Sequence, residues 1–220
     1  ILLIIGNRSG KAQTGYAIVC VMKKDIILAT AARLFAERGF ARTPTSLLAE
    51  EAGVAEGTIF RHFKSKDDIF LELILRLKNR ITEDVYKYLE VCAPETGMDQ
   101  IIAVIKACYI FVRKNRSDFA LIFRDAPGHY GEPGGEAFEH CRIIYRLLQE
   151  HFRQGMEQGQ TEGSIRGDLH PGDTACMLAA SLVGLMRVVN LGFLSPSEDM
   201  LKHFVDCTRA MLAAPGSPAA

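Results

Sequence analysis

The 220-residue sequence lacks tryptophan, and aromatic residues make up only 8% of it. Its six cysteines form no CxxC pair, which argues against a local zinc or dithiol motif and favours reduced thiols in a cytoplasmic protein. The formal net charge is zero, which taken alone argues against a nucleic-acid partner. No apolar run reaches the length of about 18 residues that would cross a membrane. Hydrophobic residues still make up 48%, enough for a sizeable core.

The segment before Met22 carries two incomplete motifs. Residues 6–11 follow an apolar run, as a phosphate-binding loop does, but their glycine spacing is one residue short and Ala12 replaces the magnesium-binding Ser or Thr. The same apolar run is too short for a signal peptide and has no basic segment before it. We expect residues 1–22 to be an unstructured extension, or to lie upstream of the true start at Met22.

From Lys23 onward the apolar residues recur at the three- and four-residue spacing of helices. Gly39 is expected to end the first helix, and Thr43 to cap a second one with Pro44 in its first position. A short third helix should follow Gly53. A longer helix should begin near Lys66 and run to about residue 92. Later helices are expected over residues 98–114, 117–124, 136–158, 171–191 and 197–212, with a loop at 126–135.

This pattern predicts an all-α protein with two domains. A three-helix DNA-binding domain with a helix-turn-helix is expected over residues 23–68. A larger helical effector-binding and dimerisation domain should follow over residues 69–214, and residues 215–220 are expected to be disordered.

The segment from Thr43 to Lys66 carries the functional signal. Two short helices meet at a glycine that permits a sharp change of direction. In the second of these helices Ile59 and Phe63, four residues apart, should face the core. The outward side chains then include an aromatic residue beside an arginine and a histidine, which suits a helix lying in the major groove of DNA. The alternative for the basic residues near it is a solvated charged surface.

Residues 24–70 resemble the DNA-binding domain of the TetR family of regulators. The resemblance rests on landmarks in the family's order and spacing: Ala32, Leu34-Phe35, Gly39-Phe40, Thr43, Ala49, Ala52-Gly53-Val54, Gly57 to Phe60, His62-Phe63 and Ser65-Lys66. It implies a regulator without enzymatic activity, cofactor or metal, whose partners are an operator duplex, a second copy of the chain and a small effector. The DNA contacts it implies are Thr43, Gly57, Thr58, Phe60, Arg61, His62 and Lys66.

Three positions depart from the family pattern and bear on base specificity. Glu56 stands where Lys or Arg is common, Phe60 replaces the more usual tyrosine, and Thr45 occupies a position that is often apolar. We interpret Glu56 as a helix-start carboxylate; the alternative is that it accepts a hydrogen bond from a cytosine amino group.

The C-terminal part resembles the family only in its helix layout. Two apolar helices from each of two subunits could form a four-helix bundle, and a two-fold dimer would match two operator half-sites. The alternative is that both helices are core within one chain. The predicted interface residues are Leu178, Leu182, Leu185, Val189, Leu201, Phe204, Val205 and Thr208.

A pocket for a largely apolar effector is expected among the helices between residues 73 and 181. For each candidate lining residue the alternative, which the composition of a helical core favours, is core packing. The candidates are Leu77, Ile81, Cys108, Tyr109, Val112, Phe119, Phe123, Phe138 and Tyr145.

Ligand wedged against the long helix would change the spacing of the recognition helices and release DNA. We therefore expect a ligand-responsive repressor that binds a palindromic operator as a homodimer. Two alternatives stay open. One is an effector-independent DNA-binding protein that answers to a protein partner. The other is a thiol-based redox sensor, for which Cys141 beside Arg142 is the candidate.

Overall fold

The computed structural model describes residues 11–116, 135–195 and 197–214, with side chains described from Met22 onward. Within these ranges it has eight helices and no strand, apart from a single bridge between Ile165 and Ala213. The helices are α1 (Lys11–Arg38), α2 (Thr45–Glu51), α3 (Glu56–His62), α4 (Lys66–Cys92), α5 (Gly97–Lys114), α6 (Glu136–Glu162), α7 (Pro171–Asn190) and α8 (Glu198–Leu212). The all-α prediction is confirmed.

The N-terminal extension differs from expectation, because α1 already begins at Lys11. No proline interrupts residues 11–22, and alanine, lysine, glutamine and methionine among them favour a helix that continues into the predicted one. The helix predicted over 117–124, most of the loop at 126–135 and the tail at 215–220 lie outside the described residues.

The chain divides into two compact units, with the boundary between Leu73 and Ile74 inside α4. The predicted boundary, after residue 68, lies five residues earlier. It differs because the first turns of α4 contribute Ile69 and Phe70, both almost fully buried, to the N-terminal unit. One long helix therefore belongs to both units.

Three phenylalanine rings form the centre of the N-terminal unit. Phe35 of α1 lies with its ring centroid 5.1 Å from that of Phe40, and Phe40 lies 5.5 Å from Phe70 of α4 in an edge-on arrangement. Edge-on and tilted ring pairs are favourable beyond the area they bury. These contacts join α1 to α4 behind the two short helices.

The C-terminal unit is organised around α5, of which twelve residues are buried. Its start packs against α6 at a very close crossing: a Cβ at Gly97 would lie 2.1 Å from the carbonyl oxygen of Gly155 and 2.3 Å from the amide nitrogen of Gly159. Only residues without a side chain permit this approach. Helix α7 also packs against α6.

Helix α7 is the one helix among the described residues that is long and apolar enough, by length and composition alone, to cross a membrane. Seven of its residues, Leu178 and Leu182 among them, are buried within the C-terminal unit. The core helix of a globular protein passes the same test of length and composition, so one such helix is weak evidence of a membrane span.

Candidate nucleic-acid interface

Helices α2 and α3 are joined by a tight turn at Gly53. The backbone there has φ of +64°, a left-handed conformation that glycine adopts without strain. The amide of Val54 donates to the carbonyl oxygen of Ala49 at 3.0 Å and closes the turn. The predicted helix-turn-helix is thus present with its glycine in the expected role.

Helix α3 is anchored from behind by two side chains. Ile59 is 1% exposed and Phe63 is 5% exposed, as their spacing predicted. On the opposite side Phe60 is 50% exposed, and Arg61 is exposed as well. This face therefore presents an aromatic ring beside a guanidinium, the side-chain types that contact thymine methyl groups and guanine edges.

Two of the predicted contacts lie at the start of α3. Gly57 is exposed, and a Cβ placed there would meet no protein atom within 4 Å, so the fold itself does not require glycine at this position. Thr58 is half-buried. The absence of a side chain at Gly57 leaves the backbone open to close approach by a partner.

The charge around His62 is positive. Its pKa is lowered from the usual value, first by burial and then by the nearby charges of Arg61, Lys24 and Lys23. The imidazole is therefore mainly neutral near pH 7, and the surrounding cations favour an anion. Lys23 and Lys24 could not be linked to this site from the sequence, because they lie almost forty residues from His62 along the chain.

Lys66 lies at the start of α4 but is partly engaged within the protein. Its ammonium nitrogen donates to the carbonyl oxygen of Phe40 at 2.9 Å and lies 4.2 Å from the centroid of that ring. Two further donor positions of the ammonium are left for other acceptors. The predicted phosphate contact is therefore sterically possible, and the ring contact fixes where the ammonium lies.

The assignment of Thr43 is corrected by the structure. Its side chain is fully buried, and its hydroxyl donates to the carbonyl oxygen of Gly39 at 2.9 Å. Pro44, not Thr43, is the residue before the first turn of α2, and no side chain caps that helix. A buried hydroxyl cannot reach a phosphate, so Thr43 has a structural role here.

Thr45 and Glu56, two of the residues that depart from the family pattern, are hydrogen-bonded to each other. The hydroxyl of Thr45 on α2 donates to Oε1 of Glu56 on α3 at 2.6 Å. This contact holds the carboxylate against the protein at the N-terminal end of α3, where negative charge is favoured. It agrees with the interpretation of Glu56 as a helix-start residue.

The predicted effector residues that the structure describes lie in different surroundings. Leu77, Ile81 and Cys108 belong to the packed core, and burial raises the pKa of the Cys108 thiol to about 12. Tyr109 and Val112 instead border a narrow apolar cleft between α5, α7 and α8. The remaining candidates are Phe138 and Tyr145, both half-buried, and Phe119 and Phe123, which lie outside the described residues.

Five of the predicted interface residues are buried within their own chain, an arrangement that the intrachain alternative also describes: Leu178, Leu182, Val189, Val205 and Thr208. Leu185, Leu201 and Phe204 are half-buried and border the same cleft. The prediction placed the larger apolar side chains of α7 and α8 on an intersubunit surface, whereas the fold directs most of them into the chain's own core.

The surroundings of Cys141, the candidate redox-sensing thiol, do not stabilise its thiolate as expected. Cys141 is half-buried, and the guanidinium of Arg142 donates through Nε to Oε2 of Glu139 at 2.9 Å. The positive charge that would stabilise a thiolate is thereby neutralised within the helix.

Comparison with known proteins agrees with this geometry. The family described as bacterial regulatory proteins of the tetR family matches residues 27–73. The HTH-type transcriptional repressor KstR2 of Mycolicibacterium smegmatis is 36% identical over 148 residues, which cover 67% of this chain and 69% of that protein. The nucleoid occlusion factor SlmA of Aliivibrio fischeri is 30% identical over 165 residues, covering 74% and 78%.

Solved structures share the fold over most of the chain. A putative transcriptional regulator from Saccharomonospora viridis, solved in complex with choline, has a TM-score of 0.73 at 22% identity and covers 88% of this chain and 98% of its own. The relatives are regulators and not enzymes, as expected. The chain therefore belongs to the TetR family and is a DNA-binding transcriptional regulator.

Proposed function

We propose that the protein is a repressor that binds a palindromic operator as a homodimer and is released by a small effector. The observation that carries the proposal is the outward face of α3, where Phe60 is 50% exposed beside Arg61 while Ile59 fixes the helix from behind. In the groove, Arg61 would read a guanine edge or a phosphate, and Phe60 would pack on a thymine methyl group.

Phosphate contacts would come from the residues around this face. His62, Lys66 and Lys23 supply positive charge or hydrogen-bond donors, whereas the ammonium of Lys24 already pairs with Glu72 at 3.2 Å. Gly57 would admit the sugar-phosphate backbone close to the first turn of α3. These contacts position the protein on the duplex, and Arg61 supplies base discrimination.

The second copy would pack on the outward face of α7. Met177 is 48% exposed, and Ala180, Ser181 and Gly184 follow it at helical spacing on the same exposed side. Small residues let two helices approach closely, so this face suits self-association better than the buried leucines first assigned to it. A two-fold pair of subunits matches a two-fold operator.

The effect of a bound effector on DNA binding would be transmitted through α4, since this single helix belongs to both compact units. A small coupling energy of about 1–3 kcal/mol would weaken DNA binding by roughly 5–150-fold. Relatives carry effector-related names: one solved neighbour is called a ketosteroid transcriptional regulator, and another holds choline. The apolar walls of the cleft between α5, α7 and α8 favour an apolar effector over a polar one.

The test begins with selection of bound duplexes from a random pool, followed by a screen for compounds that release the selected DNA. The proposal expects one motif with two inverted half-sites and at least one releasing compound. Recovery of unrelated sequences with equal affinity would contradict it.

A second candidate is a DNA-binding protein that answers to a protein partner. The similarity to SlmA, named a nucleoid occlusion factor and 30% identical over 165 residues, favours it. The same selection separates the two proposals. Specific DNA binding that no small molecule releases, together with capture of one bacterial protein by the DNA-bound form and not by the free form, would support this second function.

A further inference from the structure

Helix α8 carries two metal-binding side chains on its exposed side. His203 and Cys207 are four residues apart, so they are neighbours on the helix surface, and both are exposed. The Nε2 atom of His203 lies 3.6 Å from Sγ of Cys207. An imidazole nitrogen and a thiolate sulfur are the two ligand types of structural Zn²⁺ sites.

The separation of these two atoms is that of neighbouring ligands in a tetrahedral zinc site. With Zn–N and Zn–S bonds of about 2.0–2.1 Å and 2.3 Å at the tetrahedral angle, the nitrogen and the sulfur lie about 3.6 Å apart. One ion can therefore bind both atoms without a change in the helix backbone. The other charged side chains exposed on this side of α8 carry a net negative charge, which favours a cation: Asp199, Lys202 and Asp206.

A single chain supplies only half of such a site. Among the described residues no group of three or more His, Cys, Asp or Glu side chains could hold a metal ion. Structural zinc sites have four protein ligands, and a two-fold axis beside α8 would bring the same histidine and cysteine from a second copy. Two copies of the pair complete a Cys₂His₂ set around one ion.

The exposed sides of α7 and α8 both face away from α5. The two helices pack on α5 and border one cleft with it. Their exposed residues, Ser181 and Gly184 on α7 and the metal-binding pair on α8, therefore lie on the sides turned away from α5. A second copy on the proposed α7 face is thus within reach of α8.

We propose that His203 and Cys207 bind Zn²⁺ jointly with the same two residues of a second copy, so that the ion joins the two subunits at α8. Each thiol gives up its proton to solvent as its sulfur binds the ion. The inference rests on the proposed function in requiring a homodimer. It adds a metal that the resemblance to the family does not imply.

Cobalt titration of the full chain tests the proposal, after reduction of its thiols and removal of metal with EDTA that is then dialysed away. Co²⁺ serves as the probe because a tetrahedral cobalt–thiolate site absorbs light whereas its zinc counterpart does not. The absorption should saturate at one ion per two chains. Zn²⁺ should then abolish it, because zinc binds the same ligands more tightly than cobalt does.

Cys207→Ser should remove the thiolate-to-cobalt absorption, and His203→Gln should weaken cobalt binding by at least roughly tenfold. His203→Cys should keep the stoichiometry and strengthen the absorption, because cysteine also binds the ion. Cys92→Ser, a change at the exposed cysteine that ends α4, is the matched control and should titrate as the wild type does. In EDTA the variants at positions 203 and 207 should unfold at the wild-type temperature, because both side chains are exposed.

Cobalt bound at one ion per chain, or equal absorption by the wild type and Cys207→Ser, would overturn the proposal. Light scattering after gel filtration of the same preparations separates it from the proposed function. A wild-type dimer in EDTA that shows no thiolate-to-cobalt absorption when cobalt is added means that the zinc inference fails and the proposed homodimer stands. A wild type that stays monomeric with and without metal contradicts both.

Discussion

Two histidines lie in surroundings that favour their neutral forms. His151 on α6 is 8% exposed, its ring packs edge-on against Tyr86 at 5.3 Å, and burial lowers its pKa, opposed only in part by the charge of Glu150. Its Nε2 has no hydrogen-bond partner among the described residues. The pKa of His62 is lowered as well, chiefly by burial and then by Arg61.

These pKa shifts predict that acid destabilises the protein. The unfolded chain takes up a proton at each histidine as the pH falls below about 6.5, whereas the folded chain resists it. The free energy of unfolding should therefore be independent of these groups above that pH and decrease below it. Thermal unfolding followed by circular dichroism between about pH 7 and pH 5.5 measures this, and His151→Gln should reduce the decrease. An equal reduction in His203→Gln, at an exposed histidine, would contradict this explanation.

At the scale of single residues, orientation could be predicted where periodicity decides it. Ile59 and Phe63 face the core and Phe60 faces solvent, as a helical repeat requires. Thr43 could not be placed this way, because its burial depends on packing between elements and not on local capping preference. The proximity of Lys23 and Lys24 to His62 could not be predicted for the same reason, because only folding brings the charge of α1 close to His62.

At the scale of helices, the crossing of α5 and α6 depends on residues without side chains. A methyl group at Gly97 would overlap the backbone of Gly155 and Gly159, and backbone atoms cannot rotate away. We predict that Gly97→Ala lowers the free energy of unfolding by at least roughly 1–3 kcal/mol in urea denaturation. Gly167→Ala is the matched control, because a Cβ there meets nothing within 4 Å. Equal stability of the two variants would contradict the proposed crossing.

Helix boundaries in the C-terminal half could be predicted closely, because proline, glycine and capping serines punctuate the sequence. Pro171 begins α7, and Ser197 caps α8 by accepting from the amide of Met200 at 3.0 Å. The faces of these helices could not be predicted. Helix α7 is apolar on most of its circumference, so periodicity gave no preference between Leu178 and its neighbour Met177.

At the scale of the whole molecule, self-association is assigned to the exposed side of α7. We predict that Ser181→Arg produces monomers in light scattering after gel filtration, because a charged side chain would be forced between two close helices. Thr161→Arg, at an exposed position of α6, should stay dimeric. A dimer in both variants would place the interface elsewhere.

Operator recognition by the outward face of α3 is the central claim, and fluorescence anisotropy with the selected duplex over a range of salt concentrations tests it most directly. Arg61→Ala should weaken binding by roughly 5–150-fold, equivalent to about 1–3 kcal/mol, and relax base preference at one position. Arg146→Ala should bind as tightly as the wild-type protein. Equal affinities for the Arg61→Ala and Arg146→Ala variants, with unchanged base preference, would contradict the account.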